Sequence, residues 1–303
     1  MAPTHPDGVL LLDKPAGITS TQALAKAKRI LGARKAGHTG TLDPFATGLL
    51  PLVFGEGTKF ARFLIDAPKG YRATLRLGVE TTTGDTEGTE LVRLPINVDE
   101  TLIDDVLRRF IGVGEQIPPM HSAVRVDGRR LYELARKGVE IERVARRIEI
   151  MDLRRESFAS DELVVSVTCS KGTYIRTLAR DLGRSLGCGA YLTALRRTAV
   201  GGFALDQAST LEELAADAAA RTRLLPVEVL VAGVPRWECD NEGARRFSQG
   251  QEIDGPDLPE GTELAVFGPA GRLVGVGRMA QARRLAPLRL MSPCAERESP
   301  DFA

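Results

Sequence analysis

Short apolar runs of strand length alternate with stretches of helical period through the first two hundred residues, and few architectures accept that alternation. Residues 8–13 (GVLLLD) read as a strand, followed by a Lys14-Pro15-Ala16-Gly17 turn. Thr19 or Ser20 then caps a helix that carries Leu24, Ala27, Ile30 and Leu31 on one face, and Gly32 ends it. The glycine-rich stretch from Gly32 to Pro44 reads as a loop. After it come a strand at 49–54, a helix at 59–65, and an alternating strand at 71–78 with Tyr71 at its start. Residues 81–88 form a second loop, 98–110 an amphipathic helix opened by Asp99, 163–169 a strand, and 173–186 a helix. Strands interleave with helices yet keep hairpin-like neighbours. The expected class is therefore α+β, with a mixed, largely antiparallel sheet flanked by helices.

Two stretches depart from this pattern. Residues 114–147 are rich in Pro, Gly and Arg around one helix expected at 130–137, and look like an excursion from the core. Near 225–235 Val-rich strand material replaces an Ala-rich helical stretch at 211–220. A small β-rich unit is expected beyond it, with strands at 263–267 and 273–278 joined by a Gly268-Pro269-Ala270-Gly271 turn. With 43% apolar residues in 303, the chain suits one large domain (1–228) and a small one (229–296), followed by a tail at 297–303.

Several chemistries lack their residues. The three histidines, His5, His38 and His121, have no His-x-x-x-His spacing, and the four cysteines, Cys169, Cys188, Cys239 and Cys294, form no Cys-x-x-Cys pair. No metal site is expected, and the cysteines read as reduced thiols. Gly32 to Gly40 lacks the Gly-Lys-Ser/Thr ending of a phosphate loop, and there is no Gly-x-Ser-x-Gly elbow. The N-terminus has no secretion-signal pattern, and no apolar run approaches the ~18 residues of a membrane span. A cytoplasmic protein is expected.

Net charge is only +1, but its distribution is uneven. Between Asp13 and Asp43 there is no acidic residue, while Lys14, Lys26, Lys28, Arg29, Arg34 and Lys35 fall there. From 121 to 155 ten basic residues face six acidic ones. Such intervals can track a phosphate backbone, or simply form a solvated face. Asp43 closes the glycine-rich loop and precedes Pro44, which favours an extended backbone and holds the carboxylate out of local helix. Asp-Pro also initiates ordinary turns, so spacing alone leaves both readings open.

Taken in order, GVLLLDKPAGITS (8–20), AGHTGTLDPFATGLLPL (36–52), GEGTKF (55–60), KGYRATLRLG (69–78), TTTGDTEG (81–88), CSKGTYIRTLARDLG (169–183) and the arginine pair after Leu195 closely resemble the bacterial tRNA pseudouridine synthase B family. The resemblance implies a pseudouridine synthase catalytic domain with an RNA-gripping insertion at 114–147, and a PUA-like C-terminal domain. It implies isomerisation of uridine 55 in the T loop of tRNA, with the T-arm stem-loop as the partner, no cofactor and no protein partner, in a monomer. Asp43 matches the family's catalytic aspartate, and Arg176 the arginine that pairs with it. His38, Tyr71, Tyr174 and Leu195 match positions around the target nucleotide, and Tyr71 is also a candidate base for the C5 proton. Lys14 and Pro15 match a motif that supports the active-site loop, while Asp85 lies in a family motif without an assigned role. Two rival readings stand beside this one: a tRNA-folding chaperone that acts by binding, and a synthase for a different RNA.

Overall fold

The computed structural model describes residues 6–120, 122, 125, 126, 129, 130, 139 and 141–292. Its larger sheet has nine strands. Seven run in the order Gly8–Lys14, Thr47–Phe54, Ala190–Val200, Lys69–Leu77, Glu162–Cys169, Arg146–Ala159 and Gly112–Gln116. The short Ala36–His38 and Phe203–Ala204 strands attach to Thr47–Phe54 and Ala190–Val200. Every pairing in this sheet is antiparallel except that of Arg196 and Arg197 with Thr47 and Gly48. The sheet is mixed and largely antiparallel, and the fold is α+β as expected.

The first strand shows why its sequence is a continuous apolar run. Leu10 and Leu12 face a core built with the helices Ser20–Ile30, Glu100–Phe110 and Ile175–Ser185, which bury Ala23, Val106 and Leu178 among others. Val9 and Leu11 face the other way, into a cluster with Leu230, Phe267 and Val276. A strand covered on both faces needs apolar residues at every position, whereas a half-exposed one alternates. Lys69–Leu77 does alternate, with Ala73, Leu75 and Leu77 buried and Arg72 and Arg76 exposed.

A second sheet has five strands in the order Arg236–Glu238, Glu263–Phe267, Leu273–Met279, Arg284–Leu290 and Ile253–Asp254. The helix Asn241–Ser248 drops Phe247 into a cluster with Leu264, Val266 and Leu285. The Arg62–Glu263 ion pair (2.6 Å) and the bond from Lys59 Nζ to the Leu290 carbonyl (3.1 Å) tie the stretch at 59–62, outside the larger sheet, to this second sheet.

The structure corrects several local expectations. The stretch from Gly32 to Pro44 contains the short Ala36–His38 strand. The single helix expected at 59–65 is a 3-10 turn, Gly55–Lys59, and then a helix, Arg62–Asp66. Tyr71 is the third residue of its strand rather than the first. The Val-rich stretch after 225 forms the 3-10 turn Val227–Val231, whose apolar side chains plug the cluster between the sheets. The helical stretch at 211–220 splits into the helix Leu211–Ala216 and the 3-10 turn Ala220–Arg223.

Two long strands, Arg146–Ala159 and Ala190–Val200, escaped the sequence reading. The first pairs with Gly112–Gln116, so the chain leaves the sheet after Gln116 and returns at Arg146. The helix expected at 130–137 lies outside the described residues except for Arg130, which ends the short Arg129–Arg130 strand. The tail at 297–303 also lies outside them. Among the described residues no helix is long and apolar enough to cross a membrane.

Candidate active site

Asp43 leaves a loop that is pinned on both sides. Ser20, the first residue of the Ser20–Ile30 helix, accepts from the Leu42 amide (2.8 Å) and donates to the Leu42 carbonyl (3.1 Å). On the far side, the Pro44 carbonyl accepts from the Gly17 amide (2.8 Å) and from Lys14 Nζ (3.3 Å). Lys14 is fully buried, and its ammonium also donates to the carbonyls of Pro15 (2.8 Å) and Ile18 (2.7 Å). The turn at Lys14-Pro15 thereby grips the residue that follows Asp43. Burial pulls the Lys14 ammonium down to about 8, with the nearby Asp43 carboxylate opposing that shift.

The Asp43 carboxylate accepts from Arg176 Nε (2.9 Å) and Nη2 (3.3 Å). Arg176 is 5% exposed and Asp43 32%, so the guanidinium is fixed from behind while the carboxylate stays open to an arriving molecule. A fork of two parallel bonds aims the carboxylate as well as pairing its charge. Arg176 Nη1 donates to the Thr83 carbonyl (3.2 Å), and Asp85 Oδ2 stands 3.6 Å from Arg176 Nε. Asp85 is itself buried and accepts from the Thr83 hydroxyl and the Glu87 amide (3.0 Å). One buried guanidinium therefore faces two carboxylates and docks the loop that follows the Val79–Thr81 strand.

The helix that carries Arg176 begins without a side-chain cap of its own. Its N-cap residue, Tyr174, is held by Gln116, whose side chain accepts from the Tyr174 amide (2.8 Å) and donates to its carbonyl (3.1 Å). The last residue before the excursion thus fixes the start of this helix.

Adjacent strands of the large sheet bring in the rest. Tyr71 on Lys69–Leu77 lies opposite Arg197 on Ala190–Val200, and Leu195 opposite Ala73. Arg197 is buried and donates to the carbonyls of Leu49 (2.6 Å) and Gly40 (3.2 Å), tying down the middle of the loop. Its neighbour Arg196 turns away to pair with Asp13 (2.6 Å). The parallel contact here needs a glycine. Gly48 has φ +102°, and a Cβ on it would sit 2.3 Å from the Arg197 carbonyl oxygen. Burial pushes the Tyr71 phenol up, with Arg197 opposing, and pulls the His38 imidazole down, with Arg197 adding to the effect. His38 is accordingly neutral at neutral pH, and its buried Nδ1 has no hydrogen-bond partner among the described residues. Lys69 is a further buried cation, bonded to the carbonyls of Leu64, Ile65 and Ala67 and lowered by burial to about 8.

Of the residues singled out from sequence, Asp43 and Arg176 are in direct contact, and Lys14 and Pro15 brace the loop behind Asp43. Tyr71 and Leu195 lie on neighbouring strands, and His38 ends the same loop's short strand. Tyr174 contributes a helix cap held through its backbone. Ser20, Gln116, Lys69 and Arg197 were missed. Ser20, Lys69 and Arg197 fall inside matched segments, whereas Gln116 falls in a stretch with no motif. Among the described residues no group of three or more His, Cys, Asp or Glu side chains could hold a metal ion.

Residues 28–175 match the TruB family pseudouridylate synthase N-terminal domain. Residues 176–232 match the tRNA pseudouridylate synthase B C-terminal domain, and 235–291 the C-terminal domain of pseudouridine synthase II TruB. The tRNA pseudouridine synthase B of Thiobacillus denitrificans (strain ATCC 25259 / T1) is 53% identical over 289 residues, 94% of this chain and 96% of that protein. The one from Azoarcus sp. (strain BH72) is 51% identical over 288 residues, 94% and 95% of the two chains. Among solved structures, a chain of the Cbf5-Nop10-Gar1 complex superposes with a TM-score of 0.75 at 26% identity, covering 95% of this chain and 86% of that one. A chain of an H/ACA RNP bound to a substrate RNA containing 2'-deoxyuridine has the same fold, with a TM-score of 0.74 at 24% identity and coverage of 94% and 85%.

Proposed function

The chain belongs to the TruB family of pseudouridylate synthases, and on that premise we propose that it isomerises uridine 55 in the T loop of tRNA, with Asp43 as the essential catalytic group. Pseudouridine synthesis on tRNA is the activity its relatives are named for. The position in the tRNA and the roles of individual residues are our reading. The observation that carries it is the half-open Asp43 carboxylate gripped by the buried Arg176 guanidinium.

The reaction breaks the bond from C1′ to N1, turns the base and joins C1′ to C5; C5 loses a proton and N1 gains one. A base stacked in a folded arm must first be extruded, at a cost of a few kcal/mol. Tyr71 and Leu195 offer an aromatic and an apolar face to the extruded ring. Asp43 reaches the sugar or the base from the opening of its loop, and its aim is set by Arg176 on the buried side and by the Ser20, Lys14 and Gly17 bonds to the flanking backbone. Preorganisation of this kind lowers a barrier because no group has to move when charge develops. Neutral His38 serves as a hydrogen-bonding contact to the RNA rather than as a cation.

We assign catalysis to residues 1–228 and RNA binding to a PUA-like unit at 229–296, in a cytoplasmic monomer acting on the T-arm stem-loop without a protein partner. A substrate comparison tests the assignment. Tritium should be released from a C5-labelled T-arm stem-loop and not from a ribosomal RNA helix of equal length; the reverse order would assign the enzyme to a different RNA.

A further inference from the structure

Arg197 carries a charge that the proposed chemistry has not yet used. It is among the largest fully buried side chains, 2% exposed. Its hydrogen bonds go to the carbonyls of Leu49 and Gly40, and no carboxylate among the described residues forms an ion pair with it. A buried cation without a counter-charge is expensive, and two carbonyls could be served equally well by a neutral donor. What the charge faces is Tyr71. The two residues are directly opposed on adjacent antiparallel strands, so their side chains rise from the same face of the sheet.

We propose that Tyr71 and Arg197 form a proton shuttle: the Tyr71 hydroxyl gives its proton to N1 as the C1′–N1 bond breaks, Arg197 holds the resulting phenolate, and that phenolate takes the C5 proton once C1′–C5 has formed. This rests on reading the Asp43 site as a uridine-isomerising one. The geometry of uracil makes one oxygen sufficient. N1 and C5 both flank C6, and a half-turn about the axis through C6 and N3 exchanges them. A group stationed beside the glycosidic bond therefore meets N1 before the turn and C5 after it.

The electrons balance without a co-reactant. The C1′–N1 pair leaves with N1, which binds the proton from Tyr71. The C5–C6 π pair then forms C1′–C5, and the C5–H pair restores the π bond as the proton passes to the phenolate. Burial keeps the phenol protonated at rest, which suits a group whose first act is to donate, and the guanidinium opposes that burial when the negative charge appears.

Two measurements test the shuttle. In RNA-free protein the ultraviolet titration of Tyr71, taken as wild type minus Tyr71→Phe, should move up by about one pH unit or more in Arg197→Met, and by less in Arg197→Lys. In steady-state turnover of the T-arm stem-loop, Arg197→Met should lower kcat by about 10²-fold or more with KM little changed, and should leave the residual kcat of Tyr71→Phe unaltered. An unmoved Tyr71 titration, or the same loss of kcat in both backgrounds, would make Arg197 a latch for the Gly40 loop and overturn the shuttle. If Arg197→Met does not fold, Arg197→Lys in the two backgrounds supplies the same comparison. No tritium release by the wild type would instead overturn the reading of the Asp43 site, and the titration would be untouched by it.

Discussion

Asp43 is held by what surrounds its backbone as much as by what touches its carboxylate. Leu42 before it and Pro44 after it are each tied by two bonds, to Ser20 and to Lys14 and Gly17. Lys14 gives this grip a pH dependence. Its ammonium titrates at about 8 in the folded chain against an ordinary 10.5, because burial disfavours the charge. As pH rises through about 8 the three-carbonyl clamp loses its charge, so single-turnover activity should decline there. A pH profile of Lys14→Met should be low throughout and lack this limb, and an unchanged limb would assign it to another group. Stability moves the other way. Between about 8 and 10.5 the unfolded chain binds more protons at this position than the folded one, so the destabilising contribution of Lys14 fades as pH rises through that window.

The elements that carry the site were unequally legible. GVLLLDK and YRATLRL show their burial in their patterns, one continuous and one alternating, and both strands are where the sequence places them to within two residues. Ala190–Val200, which delivers Leu195 and Arg197, was not legible. Its Ala and Leu content has no strand preference, and its adjacent arginines hide the alternation because Arg196 reaches Asp13 while Arg197 is buried. Arg146–Ala159 was hidden for a related reason, since its outer positions are charged along an exposed stretch of sheet. The Asp43–Arg176 contact followed from the family resemblance, but the clamp on the Arg176 helix did not. A glutamine gives no signal of reaching a helix start 58 residues away in sequence. Gln116→Ala leaves the Tyr174 amide unsatisfied and should cost about 1–3 kcal/mol in urea denaturation, with kcat falling alongside. A loss below about 0.5 kcal/mol would mean that the helix start is fixed by other contacts.

Across the whole molecule, the buried charge around the Asp43 site is mostly positive. Lys14, Lys69, Arg176 and Arg197 are all buried, while the overall net charge is only +1. This concentration suits a polyanion better than the average composition suggests. Affinity for the T-arm stem-loop should fall by at least about tenfold between roughly 50 and 200 mM salt, and a flat response would argue against phosphate contacts as the source of binding. The central claim is that binding and chemistry separate at one carboxylate. Asp85 still faces Arg176 when Asp43 is neutralised, so Asp43→Asn should fold and bind. The most direct test is tritium release from a C5-labelled stem-loop by Asp43→Asn, measured beside its affinity for the same RNA. The expected result is a loss of about 10³-fold or more in release with affinity nearly unchanged; release at a tenth of the wild-type rate or above would contradict the assignment of Asp43.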